Sequence, residues 1–339
     1  MNDQIRHQLE ERLGSLHARL RLGIEEETKP RVFGNGINFF HPENWYSVHS
    51  FIRNSLRLVG LYGRGVRNTL DIRVREHEVG LQRLPRAFDG FTLLQLSDIH
   101  ADIHPPAVRA MVGAFDGFKL MQLSDIHADI HPPAVRAMVE AVRDLDYDIC
   151  VLTGDYRAQT HGPVEAAIEW MGVLLNNLRQ PIYGVFGNHD SITMLPALEE
   201  MGMRMLVNEH ITIERDGERF YLVGVDDAHY FRVDNIEKAV QGIPPDASSI
   251  LLSHTPEIYR NASHAGFDLM LCGHTHGGQI CLPGGIPVTL DARCPRYMGA
   301  GAWTYNGMQG YTSAGIGTSI VNVRLNCPPE VTLHRFRAL

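Results

Sequence analysis

The chain has 339 residues, of which 44% are hydrophobic and 21% are charged, so a disordered chain and a fibrous repeat are both excluded. Its formal net charge is −8 and it has no long block of Lys or Arg, which excludes nucleic-acid binding through bulk positive charge. The five cysteines are odd in number and lack CxxC spacing, which argues against a disulfide framework and against a cysteine-ligated zinc site.

The first residues, MNDQIRHQLEERLG, are charged and lack the apolar region of a secretory signal, so we expect no such signal. We also expect no membrane span, because the sequence contains no apolar run of the necessary length. Together with cysteines suited to a reducing compartment, this predicts a cytoplasmic protein. Peripheral contact with the inner face of the membrane stays open as an alternative.

Two amphipathic patterns open the chain. The first predicts one helix over residues 3–22, ended by Gly23, from the spacing of Ile5, Leu9, Leu13, Leu16 and Leu20. The second, over residues 45–64, has an apolar stripe and a basic stripe, formed by Trp45, Val48, Ile52, Leu56 and Val59 and by Arg53, Arg57 and Arg64. This second helix either docks on the main domain with solvated arginines or rests on an anionic membrane surface.

From about Leu70 onwards, short apolar runs alternate with helical patterns. The runs are TLDIRV, TLLQLS, KLMQLS, ICVLTG, IYGVFG, FYLVGV, SILLS and DLMLC, and the helical patterns cover 132–146, 163–178 and 193–201. This alternation predicts a layered α/β fold with functional loops at the carboxyl ends of the strands. We therefore expect a helical appendage over residues 1–68 and one main domain over residues 69–339.

One segment of the chain is duplicated. Residues 87–112 and 114–139 match at every position except Thr92/Lys119 and Leu94/Met121. Two copies are too few for a solenoid, so we interpret them as a tandem duplication of one strand, loop and half-helix.

Each copy carries the sequence SDIH, so the chain offers both Asp98/His100 and Asp125/His127. We expect the second copy to enter the sheet, because its predicted helix leads directly into the strand before Asp155, as a βαβ crossover requires. The first copy is the alternative, since it directly follows the upstream strand pattern.

Polar side chains recur where the apolar runs end, in SDIH, TGDY, GNHD, SH and CGHTH. Oxygen and nitrogen ligands without thiolate suit manganese, iron or zinc. The candidate ligands exceed what one ion can use, so we expect two divalent ions and a bridging carboxylate. Such a site keeps positive charge and attracts a phosphoester anion. Water held between ions roughly 3.5–4 Å apart would lose its proton and attack phosphorus in line.

These blocks, in order, resemble the calcineurin-like metallophosphoesterase superfamily over about residues 90–280: Asp-x-His, Gly154-Asp155, Gly187-Asn188-His189, His254 and Gly273-His274-Thr275-His276. The resemblance implies a layered sandwich of mixed sheets flanked by helices, and metal-dependent hydrolysis of phosphoester or pyrophosphate bonds. The continuation Gly277-Gly278-Gln279-Ile280 is similar to a bacterial branch with cytoplasmic and membrane-associated phosphodiesterases and a pyrophosphatase acting on UDP-diacylglucosamine.

Carried over by position, the resemblance implies one ion held by Asp125, His127, Asp155 and His276, with Asp98 and His100 as the duplicate alternative. It implies a second ion held by Asp155, Asn188, His254 and His274, so that Asp155 is the bridge. His189 is similar to the histidine that contacts the phosphate and protonates the leaving oxygen. Ala158 stands where protein phosphatases of the superfamily have an aspartate, which argues against a protein-phosphatase role.

The function predicted from the sequence is therefore a dimetal phosphodiesterase or pyrophosphatase with a small-molecule or lipid-linked substrate. Two alternatives are a membrane-surface pyrophosphatase acting on a nucleotide-linked lipid precursor and a non-catalytic scaffold of the same fold. A β-lactamase-like metallohydrolase is excluded because its HxHxDH cluster is absent. Asp226 and Asp227 either line the cleft or are surface carboxylates, and the sequence leaves both alternatives open. It predicts structural roles for His161, His210, His229 and His264.

Overall fold

The computed structural model describes residues 3–27, 46–101, 133–319 and 321–339. The strands in these ranges are β1 Arg73–Leu81, β2 Thr92–Leu96, β3 Ile149–Leu152, β4 Ile182–Gly184, β5 Met203–Met205, β6 Glu209–Arg215, β7 Glu218–Gly224, β8 Ser249–Leu252, β9 Leu269–Cys272, β10 Cys281–Leu282, β11 Ile286–Pro287, β12 Gly301–Tyr305, β13 Met308–Thr312 and β14 Glu330–Ala338. The helices are α1 Asp3–Leu13, α2 Ser15–Glu27, α3 Tyr46–Leu58, α4 Tyr62–Asn68, α5 Pro133–Val142, α6 Glu165–Leu175, α7 Leu195–Glu200, α8 Ile236–Ala239 and α9 Tyr259–His264.

Two mixed six-stranded sheets form the centre of the protein. The first has the order β1-β14-β2-β3-β4-β5, and the second has the order β12-β13-β9-β8-β7-β6. Strands β2 to β5 are parallel to one another, as are β7, β8, β9 and β13. The carboxyl ends of these strands therefore meet at one edge of each sheet. The predicted α/β fold of mixed sheets flanked by helices is confirmed.

The alternation of side chains along the strands explains the layering. In β3, Ile149 and Val151 belong to the apolar core between the sheets, with Leu222 and Leu269 of the second sheet. The neighbouring Cys150 and Leu152 point to the opposite face and pack in the core beneath the helices. Since both faces of such a strand are covered, its sequence is apolar throughout rather than alternating.

The N-terminal helices differ from the prediction of a single helix over 3–22. Gly14 has φ of 83°, so α1 ends before it and α2 starts at Ser15, whereas Gly23 lies inside α2. Leu9 and Leu22 are buried in the same apolar core as β3. The division into an appendage over 1–68 and a domain over 69–339 stays a prediction. Buried residues of α1 and α2 belong to the same apolar core as one face of β3.

The second amphipathic pattern also forms two helices. Gly60, with φ of 72°, separates α3 from α4, and Trp45 lies outside the described residues. Gly65 of α4 accepts a hydrogen bond from the backbone N–H of Arg324 at 2.9 Å, so α4 docks on the C-terminal segment. No helix in the described ranges is both long and apolar enough to cross a membrane.

Candidate metal centre

The carboxyl ends of five strands converge on one cluster of polar side chains. Asp98 and His100 follow β2, Asp155 follows β3, Asn188 and His189 follow β4, His254 follows β8, and His274 and His276 follow β9. Three of these strands belong to the first sheet and two to the second. The cluster therefore lies across the seam between the sheets.

The backbone at the cluster is unusual for residues that carry side chains. Asp98, His100, Asp155, His274 and His276 all have φ between 46° and 71°. Such left-handed conformations cost free energy and concentrate at functional sites, where the surrounding structure holds them in place.

Close backbone approach at this seam also requires glycine. A Cβ at Gly187 would overlap the Asp155 carboxylate, and a Cβ at Gly273 would overlap Ser97. The glycine of the GNH block therefore allows two loops of the first sheet to approach closely, and the glycine of the GHTH block allows a loop of the second sheet to approach a loop of the first.

One half of the cluster consists of Asp98, His100 and His276. The Nε2 atoms of His100 and His276 are 3.2 Å apart, and His276 Nε2 is 3.6 Å from Asp98 Oδ1. All three side chains are buried, and their ligand atoms lie close enough together to share one ion.

The other half consists of Asn188, His254 and His274. The Nε2 atom of His254 is 2.9 Å from the Asn188 Oδ1 atom, and it is 3.3 Å from Asp155 Oδ2. The same Asp155 oxygen is 3.9 Å from His100 Nε2 in the first half. Asp155 therefore lies between the two groups, where a bridging carboxylate is expected.

The outer nitrogens of two imidazoles are held by backbone carbonyls. His100 Nδ1 donates to the Arg157 carbonyl at 2.8 Å, and His254 Nδ1 donates to the Thr153 carbonyl at 2.8 Å. A carbonyl can only accept, so Nδ1 carries a proton in both rings and Nε2 is the nitrogen that faces the cluster and is available to a metal ion when the ring is neutral. This is the tautomer that a metal ligand needs.

The His189 imidazole is oriented by the backbone rather than by an acid. Its Nδ1 donates to the Ala158 carbonyl at 2.7 Å, and its Nε2 lies 3.9 Å from Asp155 Oδ2. The neighbouring Asp190 carboxylate accepts the backbone N–H groups of Asp155, Tyr156 and Gly187 at 2.8–2.9 Å. Asp190 thus fixes the loop that carries Asp155.

The buried carboxylates have divergent pKa values. Burial raises the pKa of Asp98 to about 6, and the Asp155 carboxylate adds to the effect. Burial also raises the pKa of Asp190 to about 6, again with a contribution from Asp155. Burial would raise the pKa of Asp155 as well, but His254 and His189 outweigh it and hold that pKa well below its usual range. Asp155 is thus the carboxylate that is ionised most readily.

The imidazoles divide in the same way. Burial lowers the pKa of His100 to about 4, and burial with neighbouring histidines holds the pKa values of His274 and His276 well below 6.5. His254 is the exception: burial opposes its protonation, but the Asp155 charge and hydrogen bond raise its pKa to about 10. Most of the cluster thus favours neutral imidazole, the form that binds metal.

The donor set fits divalent ions. It provides carboxylate, carboxamide and imidazole atoms without a thiolate, a combination suited to manganese, iron or zinc. His274 Nε2 is buried and has no hydrogen-bond partner among the described residues. A buried polar atom without a partner costs free energy, and a metal ion would remove that cost.

Comparison with known proteins agrees with this geometry. A family model described as calcineurin-like phosphoesterase matches residues 91–278, more than half of the chain. The chain belongs to the calcineurin-like phosphoesterase family. It is a metal-dependent phosphoesterase, as the sequence predicts.

Three relatives show how far the likeness to other members of the family extends. The uncharacterized metallophosphoesterase YkoQ of Bacillus subtilis is 32% identical over 57% of this chain and 74% of its own length. The phosphodiesterase YaeI of Escherichia coli is 33% identical over 45% of this chain and 57% of its own length. The uncharacterized metallophosphoesterase YkuE of B. subtilis is 25% identical over 79% of this chain and 86% of its own length.

The structure describes the strand of one duplicated copy at the cluster, and the sequence prediction preferred the other copy. It places Asp98 and His100 of the first copy there, whereas Asp125 and His127 lie outside the described residues. The first copy's strand β2 pairs with β3 and β14. Helix α5, at the end of the second copy, precedes β3. Within the described residues, the strand at the cluster thus comes from the first copy, and the helix before β3 begins in the second.

Other residues near the cluster have roles that the sequence did not indicate. His229, predicted to be structural, packs against His274 with ring centroids 4.2 Å apart and ring planes tilted by 46°, and it forms an ion pair with Glu257 at 3.2 Å. Asp226 and Asp227 are fully buried rather than surface carboxylates. Their position at the end of the FYLVGV strand was the available signal, but a strand end alone does not reveal the partner side chains.

Proposed function

We propose that this calcineurin-like phosphoesterase hydrolyses a phosphodiester or pyrophosphate bond with two divalent ions. Asp98, His100 and His276 would hold one ion, and Asn188, His254 and His274 would hold the other. The single observation that carries the proposal is the position of Asp155, whose Oδ2 atom lies between His100 and His254 of the two halves.

Bound ions of this kind lower the pKa of the attacking water and offset the charge of the phosphoryl oxygens. The chain's own residues supply the rest of the chemistry. The Ala158 carbonyl accepts from His189 Nδ1 and directs Nε2 towards the cluster, where it can donate a proton to the leaving oxygen. The backbone N–H of His189 donates to Asp155 Oδ1 at 2.9 Å, which couples the position of this acid to that of the carboxylate.

A non-catalytic scaffold is the competing function. A scaffold has no need to retain a complete donor set, and here the two halves, the carboxylate between them and the histidine acid are all present. The bacterial relative named as a phosphodiesterase, YaeI, supports hydrolysis of a diester as the reaction to test first.

The test is turnover of bis(p-nitrophenyl) phosphate with added manganese, with and without a chelator, combined with elemental analysis of the purified protein. We expect metal-dependent turnover that chelation abolishes and added manganese restores. Absence of both turnover and bound metal would reject the enzyme and leave the scaffold. An Asp155→Asn variant is the matched control, because it removes the shared carboxylate charge with little change in volume.

A second candidate, a membrane-surface pyrophosphatase with a lipid-linked substrate, is favoured by one exposed surface. On α3 and the following turn, the side chains of Phe51, Leu58 and Val59 are 70%, 88% and 64% exposed. Arg53 and Arg57 are exposed on the same helix. An apolar stripe beside basic side chains matches the chemistry of an anionic lipid surface.

A second exposed apolar segment lies near α4. Leu282, Ile286 and Val288, in and after the β10–β11 pair, are each more than half exposed. Cys281 donates its backbone N–H to the Leu325 carbonyl, and Arg324 donates to the Gly65 carbonyl in α4, both at 2.9 Å. Residues 324–325 thus link α4, the helix after α3, to the β10–β11 segment. Exposed apolar side chains on both segments support contact with a membrane, which for a cytoplasmic protein would be the inner face.

Flotation with vesicles that contain phosphatidylglycerol tests this second candidate. We expect binding at low salt and release at high salt, because each basic residue near such a surface contributes about 1 kcal/mol. The double variant Arg53→Glu/Arg57→Glu should not float, whereas Arg219→Glu, an exposed arginine on β7, should behave as wild type. Failure of the wild type to float at low salt would leave α3 as a docked helix with a water-soluble substrate.

A further inference from the structure

The side chain of Arg21 in α2 is fully buried, although Leu16 and Leu20 of the same helix are exposed. Its Nη2 donates to the backbone carbonyl of Asp190 at 2.9 Å. Its Nε lies 3.5 Å from Asp226 Oδ1, and its guanidinium carbon lies 3.2 Å from the centre of the Phe231 ring. Burying a guanidinium is costly, so its position between these groups calls for a structural reason.

The partners of Arg21 come from two loops that belong to different sheets. Asp190 lies in the loop after β4, which also carries Asn188 and His189. Asp226 and Phe231 lie in the loop after β7 of the second sheet. One guanidinium therefore joins two loops across the seam at which the metal cluster lies.

Neighbouring residues of α2 reinforce this contact. Glu25 accepts hydrogen bonds from the Ser191 hydroxyl at 2.6 Å and from the Ile192 backbone N–H at 2.8 Å. His17 Nε2 lies 2.9 Å from Asp226 Oδ2. Glu25 also lies 3.0 Å from Arg21 Nη1, so one face of α2 contacts both loops through charged side chains.

The contact reaches the metal cluster through Asp190. The main chain of Asp190 is held by Arg21, while its carboxylate accepts the backbone N–H groups of Asp155 and Gly187 at 2.8 Å and 2.9 Å. A displacement of Asp190 would therefore move the carboxylate that lies between the two halves of the cluster. Partners behind metal ligands of this kind commonly alter affinity or activity by about 10–100-fold when removed.

We propose that Arg21 is a positioning residue for the candidate metal centre. By holding the loop after β4 against the loop after β7, it keeps Asp155 and His189 in register. The N-terminal helix pair α1–α2 thereby becomes a component of the active site through the loops after β4 and β7. This inference rests on the proposed dimetal function for its kinetic part.

Arg12 provides a matched control in the same helix pair. It binds the carboxylates of Glu199 and Glu209, which lie in α7 and β6. Arg12→Ala therefore removes an arginine that attaches α1 to the domain without touching the loops after β4 or β7. An effect shared by Arg12→Ala and Arg21→Ala indicates weaker docking of the helix pair. An effect confined to Arg21→Ala indicates loss of the contact that Arg21 makes with the loops after β4 and β7.

The first measurement is hydrogen–deuterium exchange of the metal-free full chain, which depends neither on metal nor on activity. We expect Arg21→Ala to raise exchange of peptides covering 187–194 by about tenfold or more relative to wild type, and Arg12→Ala to leave them unchanged. Millimolar guanidinium chloride should restore protection in Arg21→Ala by entering the vacated space, whereas equal concentrations of urea or sodium chloride should not. Arg21→Lys should be intermediate, because one ammonium cannot reach all the partners.

The second measurement is manganese-dependent turnover. Arg21→Ala should lower kcat by about 10–100-fold with a smaller change in KM, guanidinium should recover part of the loss, and Arg12→Ala should keep the wild-type kcat. Unchanged exchange at 187–194, or equal losses in the two alanine variants, would overturn the proposal. If the wild-type protein shows no turnover, but Arg21→Ala still raises exchange at 187–194 and Arg12→Ala does not, the hydrolase activity is rejected and the loop contact is supported.

Discussion

The His189 imidazole has its outer nitrogen on the Ala158 carbonyl and its inner nitrogen facing Asp155. Protein phosphatases of the superfamily use an aspartate at the position of Ala158. The Ala158 carbonyl orients the ring as an aspartate would, but it offers a backbone dipole rather than a charged side chain. The direction of His189 Nε2 therefore depends on the main chain at residue 158.

If His189 protonates the leaving oxygen, His189→Ala should lower turnover by roughly 10²–10⁴-fold while metal content stays unchanged. The loss should shrink for p-nitrophenol, a leaving group that needs no proton, and should be largest for an alkoxide. Steady-state kinetics with both substrates, alongside elemental analysis, makes the comparison. His161→Ala, an exposed histidine nearby, is the control. Equal losses for the two leaving groups, or a loss of metal, would rule out this role.

The duplicated segment gives a second prediction at the residue scale. Because Asp98 lies beside His276 in the cluster, Asp98→Asn should abolish turnover and deplete one ion. Asp125→Asn, the same change in the second copy, should stay near wild type. The reverse pattern would place the second copy in the sheet, as its continuity with α5 led us to expect. Partial loss in both variants would mean that the two nearly identical strands exchange.

At the scale of elements, the strands that carry the site are the ones that the sequence predicts best. Runs such as ICVLTG and SILLS are apolar throughout because both of their faces are buried, and this makes them recognisable. The predicted helices 132–146, 163–178 and 193–201 appear as α5, α6 and α7. The polar blocks follow directly after these strands, so the positions of Asp155 after β3 and of His254 after β8 could also be predicted.

The sequence could not predict contacts that depend on pairing between distant segments. Strand β14 lies between β1 and β2 in the first sheet, although it is the last strand in chain order. Its polar residues hide it from a search for apolar runs. The burial of Arg21 depends on two loops far away in sequence, so its charge alone indicates a solvated helix face. The break at Gly14 is of the same kind, since a glycine inside an amphipathic pattern is compatible with a continuous helix.

The pairing of β1 with β14 brings two histidines together. His77 and His334 are in register, with their Nδ1 atoms 2.9 Å apart, and His334 Nε2 donates to Gln95 Oε1 at 2.9 Å. Burial holds the pKa of His334 well below its usual range and also lowers the pKa of His77. Below a pH of about 6.5 the unfolded chain therefore binds protons that the folded protein does not bind.

Stability should accordingly fall as the pH drops below about 6.5, by up to roughly 1.4 kcal/mol per pH unit for each such histidine, until the folded pKa is reached. In urea unfolding with a chelator present, the free energy of unfolding of His334→Gln should fall by about 1 kcal/mol less than that of the wild type between pH 7.5 and pH 5.5. His161→Gln, an exposed histidine, should lose as much as wild type. If the free energy of unfolding falls with pH as steeply in His334→Gln as in the wild type, this histidine contributes nothing to the acid sensitivity.

For the whole molecule, the metal cluster lies where two sheets meet and where α2 joins their loops. The buried carboxylates of Asp98, Asp155 and Asp190 lie close to one another there, and the pKa values raised to about 6 at Asp98 and Asp190 reflect the cost of charging them. Divalent ions would remove this cost and connect strands of both sheets. Ion binding is therefore expected to stabilise the entire domain rather than one loop.

Removing the ions should lower Tm. An ion that binds only the folded protein, at roughly 100 times its Kd, adds about 2.7 kcal/mol of stability, which corresponds to a Tm shift of about 4 °C for each ion at this chain length. Thermal unfolding of the manganese-loaded protein with and without excess chelator measures this shift. In Asp155→Asn the chelator shift should largely disappear, because that carboxylate serves both halves, whereas in Arg219→Glu, at an exposed site on β7, it should persist. A wild-type protein that holds two ions by elemental analysis yet unfolds at the same temperature with and without chelator would show that the ions do not brace the two sheets.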